Sequence, residues 1–197
     1  MIDLEKNKEI YLKHLSEVIP DYDIMVGIQN YLDGTDFFKA PCSTKFHLSV
    51  EGGLCQHHLN VEENIIKLLQ AYDSDVDVYS ARLVALTHDW CKIDYYTPAI
   101  VSIPPDKSGT GKWEKEWKFK TDPALTLGHG AASIYRINKV LDLTMDEAEA
   151  IFNHMGAFDL SNYHTINDVS TIFESNKLSF FLHMADMMST YITESGD

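Results

Sequence analysis

Six residues of metal-binding type stand in helical, largely apolar surroundings: His57, the adjacent pair His88-Asp89, His129, His154 and Asp186. Each falls on a different helical segment or at its end. Burying imidazoles and carboxylates costs several kcal/mol unless they are paired or bind a cation, so their presence in apolar runs requires a compensating partner. Divalent metal is the common one. Neutral imidazole suits Zn, Fe, Ni, Co and Mn, and an aspartate can bridge two ions, so four histidines and two aspartates could build a dinuclear centre with positions open to water. A single histidine beside an apolar face is more often a satisfied core residue, so order and local context must carry the assignment.

The elements that have to position these residues are helices. Leu4, Ile10, Tyr11, Leu12, Leu15 and Val18 recur near helical spacing over residues 3–18, and Pro20 ends the pattern. A second helix is expected from about Asp23 to Leu32, punctuated by Asp33-Gly34 and followed by an irregular link through Pro41 to about Glu51. From Gly53 to about Tyr72, Leu54, Val61, Ile65, Leu68 and Leu69 form one face, which residues 57 and 58 straddle near its start. The apolar density of SARLVALTHDWCKI predicts a helix buried on most sides, with His88 and Asp89 at its inner end. Helical patterning resumes over 129–141 and again after Thr144, where Thr144 and Glu147 form a capping box; a last helix is expected from about Lys177 to Thr193. Residues 97–123 differ: IVSIPP, then DKSGTGK, then WEKEWKFK reads as a β-hairpin. The expectation is one all-α domain over 1–197, a helical bundle with N-terminal helices in 1–40, a metal-binding core over about 47–193 and a hairpin insertion at about 97–123.

Composition bounds the partners. Thirty Asp and Glu against sixteen Lys and Arg give a formal charge of -14, opposite to the basic footprint of a duplex nucleic-acid binder. With 45% apolar residues and ten Tyr, the chain is no disordered tail. Three cysteines without CxxC spacing give neither a disulfide framework nor a thiolate zinc knot, and a reducing cytoplasm is expected. The charged N-terminus lacks a signal-peptide core and no stretch approaches ~18 apolar residues, so no membrane partner is expected.

In order and in local words the sequence resembles the HD-domain superfamily of metal-dependent phosphohydrolases, in its six-ligand H...HD...H...H...D version. GGLCQHHLNV is similar to that family's GGL-x-x-H-x-x-x-V helix and selects His57 over His58. HDWCKI resembles HD-x-G-K, and LGHG resembles the GH that opens the following helix. IFNHMG resembles the I-L-S-H-H-G segment of the HD domain in certain bacterial 3'-to-5' exoribonucleases, and LHMADMMSTY the closing helix with its single ligand aspartate. Cys91 replaces the usual Gly, and Met155 replaces the second His of the HHG segment. The resemblance, over about residues 40–193, implies an HD-domain bundle and two divalent ions drawn from Mn, Co, Ni, Mg, Zn or Fe. One would take His57, His88, Asp89 and Asp186; the other would share Asp89 and add His129 and His154. It further implies a hydroxide between the ions, in-line displacement at phosphorus, and a small phosphorylated substrate such as a nucleotide.

Catalytic roles are expected for Asp89, the shared ligand, and for Lys92 and His47. Lys92 has two readings, contact with a phosphate or a structural salt bridge at a helix end. His47, which matches a histidine of the exoribonuclease-like branch, meets substrate or caps its loop. His58 lies about 100° around the helix from His57 and reads as packing or ligand support. His183, three residues before Asp186 on the same broad face, has two readings, a hydrogen bond near the site or a core role, of which core is preferred; His14 and His164 read as superficial. Trp113, Trp117 and Phe119 could stack a base, but packing of the hairpin onto the domain is the preferred reading. Phosphomonoesterase, phosphodiesterase and nucleotidohydrolase chemistry share the same core. Two rivals share the ligand set: an HD-type di-iron oxygenase of a small substrate, and a non-catalytic metal-bound sensor.

Overall fold

A computed structural model describes residues 2–103, 113–121, 127–158 and 166–195. Helix starts follow side-chain caps legible in the sequence. Asp3 accepts from the Lys6 N–H ahead of α1 (Leu4–Val18), and Asp21 accepts from the N–H groups of Asp23 and Ile24 ahead of α2 (Tyr22–Asp33). Asp77 caps α4 (Val78–Thr87) through the Ser80 N–H, and Asn176 caps α8 (Lys177–Met188) through the Ser179 N–H. Thr144 and Glu147 form the expected reciprocal capping box at α6 (Met145–Asn153). Between these lie α3 (Gly53–Ala71), α5 (His129–Ile137) and α7 (Ile166–Ser175). The protein is mostly helical, with a small two-stranded antiparallel hairpin.

The longest helix, α3, packs between α4 and α8; α6 lies against α8 and α5. Among the residues of one hydrophobic cluster, Tyr11, Leu32, Ile65, Trp90, Ile151 and Leu182 are all inaccessible to solvent. Each such side chain contributes roughly 1.5–3 kcal/mol when removed from water. Its polar atoms are satisfied inside: Trp90 Nε1–H donates to the Tyr11 hydroxyl at 3.1 Å, and that hydroxyl donates to the Leu86 carbonyl. This relay ties α1 to the turn that follows α4.

The hairpin pairs β1 (Tyr96–Ile103) with β2 (Glu114–Thr121), with Tyr96 opposite Thr121 and Ile100 opposite Trp117. The preferred packing reading of its aromatic residues is corrected for the tryptophans. Trp113 and Trp117 are 68% and 69% exposed, because the strands pair with each other and leave the Ile100–Trp117 face open. Phe119 is half-buried. The Gly-rich turn, the end of the expected hairpin at 122–123, and His164 lie outside the described residues. No helix among the described residues is long and apolar enough to cross a membrane. Two elements differ from expectation: α7 is an additional helix, and the last helix widens into a π-helical turn over Ser189–Thr193.

Candidate metal centre

The candidate ligands sit where helices begin or end. His57 lies in the second turn of α3, His88 is the C-cap of α4, and Asp89 leads into a 3-10 turn over Trp90–Lys92. His129 opens α5, His154 caps the end of α6, and Asp186 lies in the last turn of α8. The two glycines before His57 fix the approach of the preceding loop. Gly52 has φ +80, a left-handed conformation suited to glycine, and a β-carbon on Gly53 would overlap the Leu48 carbonyl. That contact, with the Cys42 N–H donating to the same carbonyl at 3.0 Å, folds the Cys42–Leu48 loop onto the start of α3.

Asp89 stands at the middle of the cluster, and its two oxygens face different histidines. Oδ2 lies 3.9 Å from His57 Nε2 and 3.7 Å from His88 Nε2, while Oδ1 lies 3.5 Å from His154 Nε2 and 3.8 Å from His129 Nδ1. Asp186 Oδ1 completes the first side, 3.2 Å from His57 Nε2. All six expected ligands are therefore brought together, in overlapping groups whose donor atoms lie within 4.8 Å of one another.

The far sides of three rings are fixed by hydrogen bonds. His88 Nδ1–H donates to the Ala85 carbonyl at 2.9 Å, and His154 Nδ1–H donates to the Ile151 carbonyl at 2.7 Å. His57 Nδ1–H donates to Glu194, 3.0 Å from Oε1. Each bond leaves the Nε2 lone pair aimed at the cluster, and these three Nε2 atoms are buried with no hydrogen-bond partner among the described residues. An unsatisfied buried polar atom costs ~1–3 kcal/mol. Three together would take a large share of the ~5–15 kcal/mol that stabilises a typical protein. A shared cation removes that cost, so these residues could hold metal ions.

The electrostatics agree. Burial pushes His88 down to about 4, which keeps it neutral as a ligand must be. Burial raises Asp89, but the charge of Lys92 overcomes this and holds the carboxyl well below the usual range. Asp186 is likewise held low against burial, by His57. In the chain alone this crowd of anions draws a proton onto His57. Burial opposes that charge, yet the Cys42 thiolate, Asp186 and Glu194 raise the imidazole well above its ordinary value. The cluster attracts positive charge, whether a proton or a metal ion supplies it.

Of the other expected residues, Lys92 is buried and pairs with Asp89 Oδ2 at 2.5 Å, in agreement with the salt-bridge reading. His47 Nε2 lies 3.3 Å from Cys42 Sγ and 3.9 Å from Glu194 Oε2, with its ring 5.2 Å from that of His57. Both line a cleft of about 160 Å³ over Asp89, His129, His154 and Asp186. A larger hollow of about 520 Å³, walled by the caps of α6 and α8, holds none of the candidate ligands. His58 belongs to none of the ligand groups and packs among Tyr11, Phe37 and His88, while His183 Nδ1–H donates to the His154 carbonyl at 2.7 Å. His14 is half-buried rather than superficial, its Nδ1–H donating to buried Glu62 at 2.5 Å.

Three participants were not anticipated: Glu194, Cys42 and Cys91. Glu194 lies eight residues beyond Asp186, which on a regular α-helix places it about 80° around the axis. The π-helical turn, closed by the Glu194 N–H donating to the Ser189 carbonyl at 2.9 Å, slows that rotation and returns Glu194 to the buried side. No periodicity in the sequence announces such a turn. Cys91 was visible only as a departure from the motif that HDWCKI resembles. No family model, curated protein or solved structure matches this chain.

Proposed function

We propose that this protein is an HD-domain metal-dependent phosphohydrolase that cleaves a phosphoester bond in a nucleotide or another small phosphorylated metabolite. The observation that carries the reading is the division of Asp89: one carboxylate oxygen faces His57 and His88, the other His154 and His129, and three of these imidazoles present unpartnered, buried Nε2 atoms. His57, His88, Asp186 and Asp89 Oδ2 would hold one divalent ion, and His129, His154 and Asp89 Oδ1 a second. Ions bound there would bring a coordinated water into the neutral titration range and offset charge on phosphate oxygens.

The chain's own residues perform the remaining work. Ala85, Ile151 and Glu194 fix the rings of His88, His154 and His57 through Nδ1, so the ligand geometry precedes substrate. Lys92 keeps Asp89 ionised and, lining the cleft with His47, would donate to a phosphate oxygen bound there. The cleft is smaller than the ~300–1,000 Å³ typical of pockets that enclose whole drug-sized ligands, which suits one phosphoryl group with part of its carrier.

Elemental analysis of the purified protein, followed by phosphate- and nucleotide-release assays across several divalent metals, tests this. Two ions per chain and metal-dependent hydrolysis are expected, both lost in Asp89→Asn. A mixed-valent di-iron protein that consumes dioxygen and releases no phosphate would overturn the reading in favour of an oxygenase. Unchanged activity and stoichiometry in Asp89→Ala would overturn the site itself.

A further inference from the structure

We infer that Cys91 is a thiolate ligand on the His129 side of Asp89, making that cation site a sulfur-containing one suited to zinc or cobalt over magnesium or manganese. The inference rests on the dinuclear reading above and adds a ligand to it. Cys91 Sγ lies 3.6 Å from Asp89 Oδ1 and 3.5 Å from His129 Nδ1. His154 Nε2 approaches the same carboxylate oxygen at 3.5 Å. Metal–ligand bonds of ~2.0–2.3 Å at tetrahedral angles separate donor atoms by about 3.3–3.8 Å, and these spacings fall in or near that range.

A second observation points to a ligand independently of the cysteine. His154 is fully buried, and its Nε2 has no hydrogen-bond partner among the described residues. The backbone also holds Cys91 in place, since its N–H donates at 3.0 Å to Ser133 Oγ, one turn along α5 from His129. The turn that carries Cys91 and the helix that carries His129 are thereby tied. Glycine, which the resembling motif has at this position, would keep that backbone hydrogen bond but supply no thiolate.

Cys42, the other thiol of the cluster, stands with Lys92 Nζ 3.5 Å from its sulfur. An ammonium there already neutralises a thiolate and competes with a metal ion for it. Thiolate is a soft ligand that favours zinc and cobalt, whereas carboxylate and water suit magnesium and manganese.

Cobalt-loaded protein provides the test. Wild type is expected to bind two cobalt ions per chain and to show a near-ultraviolet sulfur-to-cobalt charge-transfer band. Cys91→Ser should lose the band while Cys42→Ser keeps it, and Cys91→Ser should weaken zinc binding ~10-fold or more, at least the cost of losing an outer partner of a ligand. X-ray absorption on wild-type zinc protein needs no variant and should show a sulfur at ~2.3 Å. Two bound ions without a band or sulfur shell would overturn the Cys91 assignment and leave the dinuclear reading intact. A band that survives Cys91→Ser and disappears in Cys42→Ser would do the same. Failure to bind cobalt or zinc would overturn both.

Discussion

At the scale of single residues, the centre depends on how each imidazole is held from behind. The backbone carbonyls of Ala85 and Ile151 hold two of them, whereas His57 leans on a carboxylate, Glu194, which also accepts from Asn60 Nδ2 at 2.8 Å. A charged acceptor raises the basicity of the ring it orients and so strengthens the metal bond on the other nitrogen. Glu194→Gln keeps an acceptor but removes the charge, and Glu194→Ala removes both. Metal affinity should fall ~10–100-fold in the alanine variant and less in the glutamine one, measured by competition with a chromogenic chelator. Equal affinity in wild type and both variants would mean that Glu194 only fills space. The six expected ligands were legible because their types clash with an apolar helical sequence, whereas nothing in composition distinguishes Glu194 from the other acidic residues of this chain.

At the scale of elements, the distance between the ends of α5 and α6 sets the gap between His129 and His154. A β-carbon on Gly130 would overlap the carbonyl and Cα of Phe152, so the two helices meet at a glycine that permits backbone contact. Gly130→Ala must push α5 from α6, since backbone cannot move aside as a side chain can. Overpacking of this kind costs ~1–3 kcal/mol, which urea unfolding would register, and the same shift should release the ion on the His129 side first. A variant with wild-type stability and two bound ions would show that the contact does not govern the site. The helices themselves were readable, because capping residues and 3.6-residue periodicity act locally. Harder to read was α7, whose Ile166, Val169, Ile172 and Phe173 keep helical spacing in a short run dominated by polar residues. The tryptophans of the hairpin misled for another reason: an alternating pattern specifies strand pairing, but not which face another element covers.

At the scale of the whole molecule, stability should depend on pH in opposite ways with and without metal. In chelator-treated protein, His88 titrates at about 4 and His58 is also depressed, in both cases chiefly by burial. The unfolded chain protonates these groups near 6.5, so their contribution is lost as pH falls from about 6.5 toward 4. His57 has the opposite sign. Its raised folded value, won from burial by Cys42, Asp186 and Glu194, contributes stability fully present below about 6.5 and lost as pH rises. Cys42, lowered against burial from its ordinary 9.0 to about 6 by His57 and Lys92, has the reverse sign and offsets that loss up to about pH 9, so the decline up to that pH rests on His129. His129, lifted to about 11 first by Asp89 and then by Cys91, acts as His57 does, although its 39% side-chain exposure reduces its share. Metal-free protein should therefore be most stable near pH 6.5 and melt at lower temperature toward both pH 5 and pH 9. Bound ions require deprotonated ligands, so metal-loaded protein gains affinity, and with it stability, over the alkaline range where the stripped protein declines. The gap between the two melting temperatures should widen from pH 6.5 to 9, and scanning calorimetry at matched ionic strength measures it. Parallel profiles would show that protons and metal ions do not compete for one cluster, and would separate the charge at His57 from any role in holding a cation.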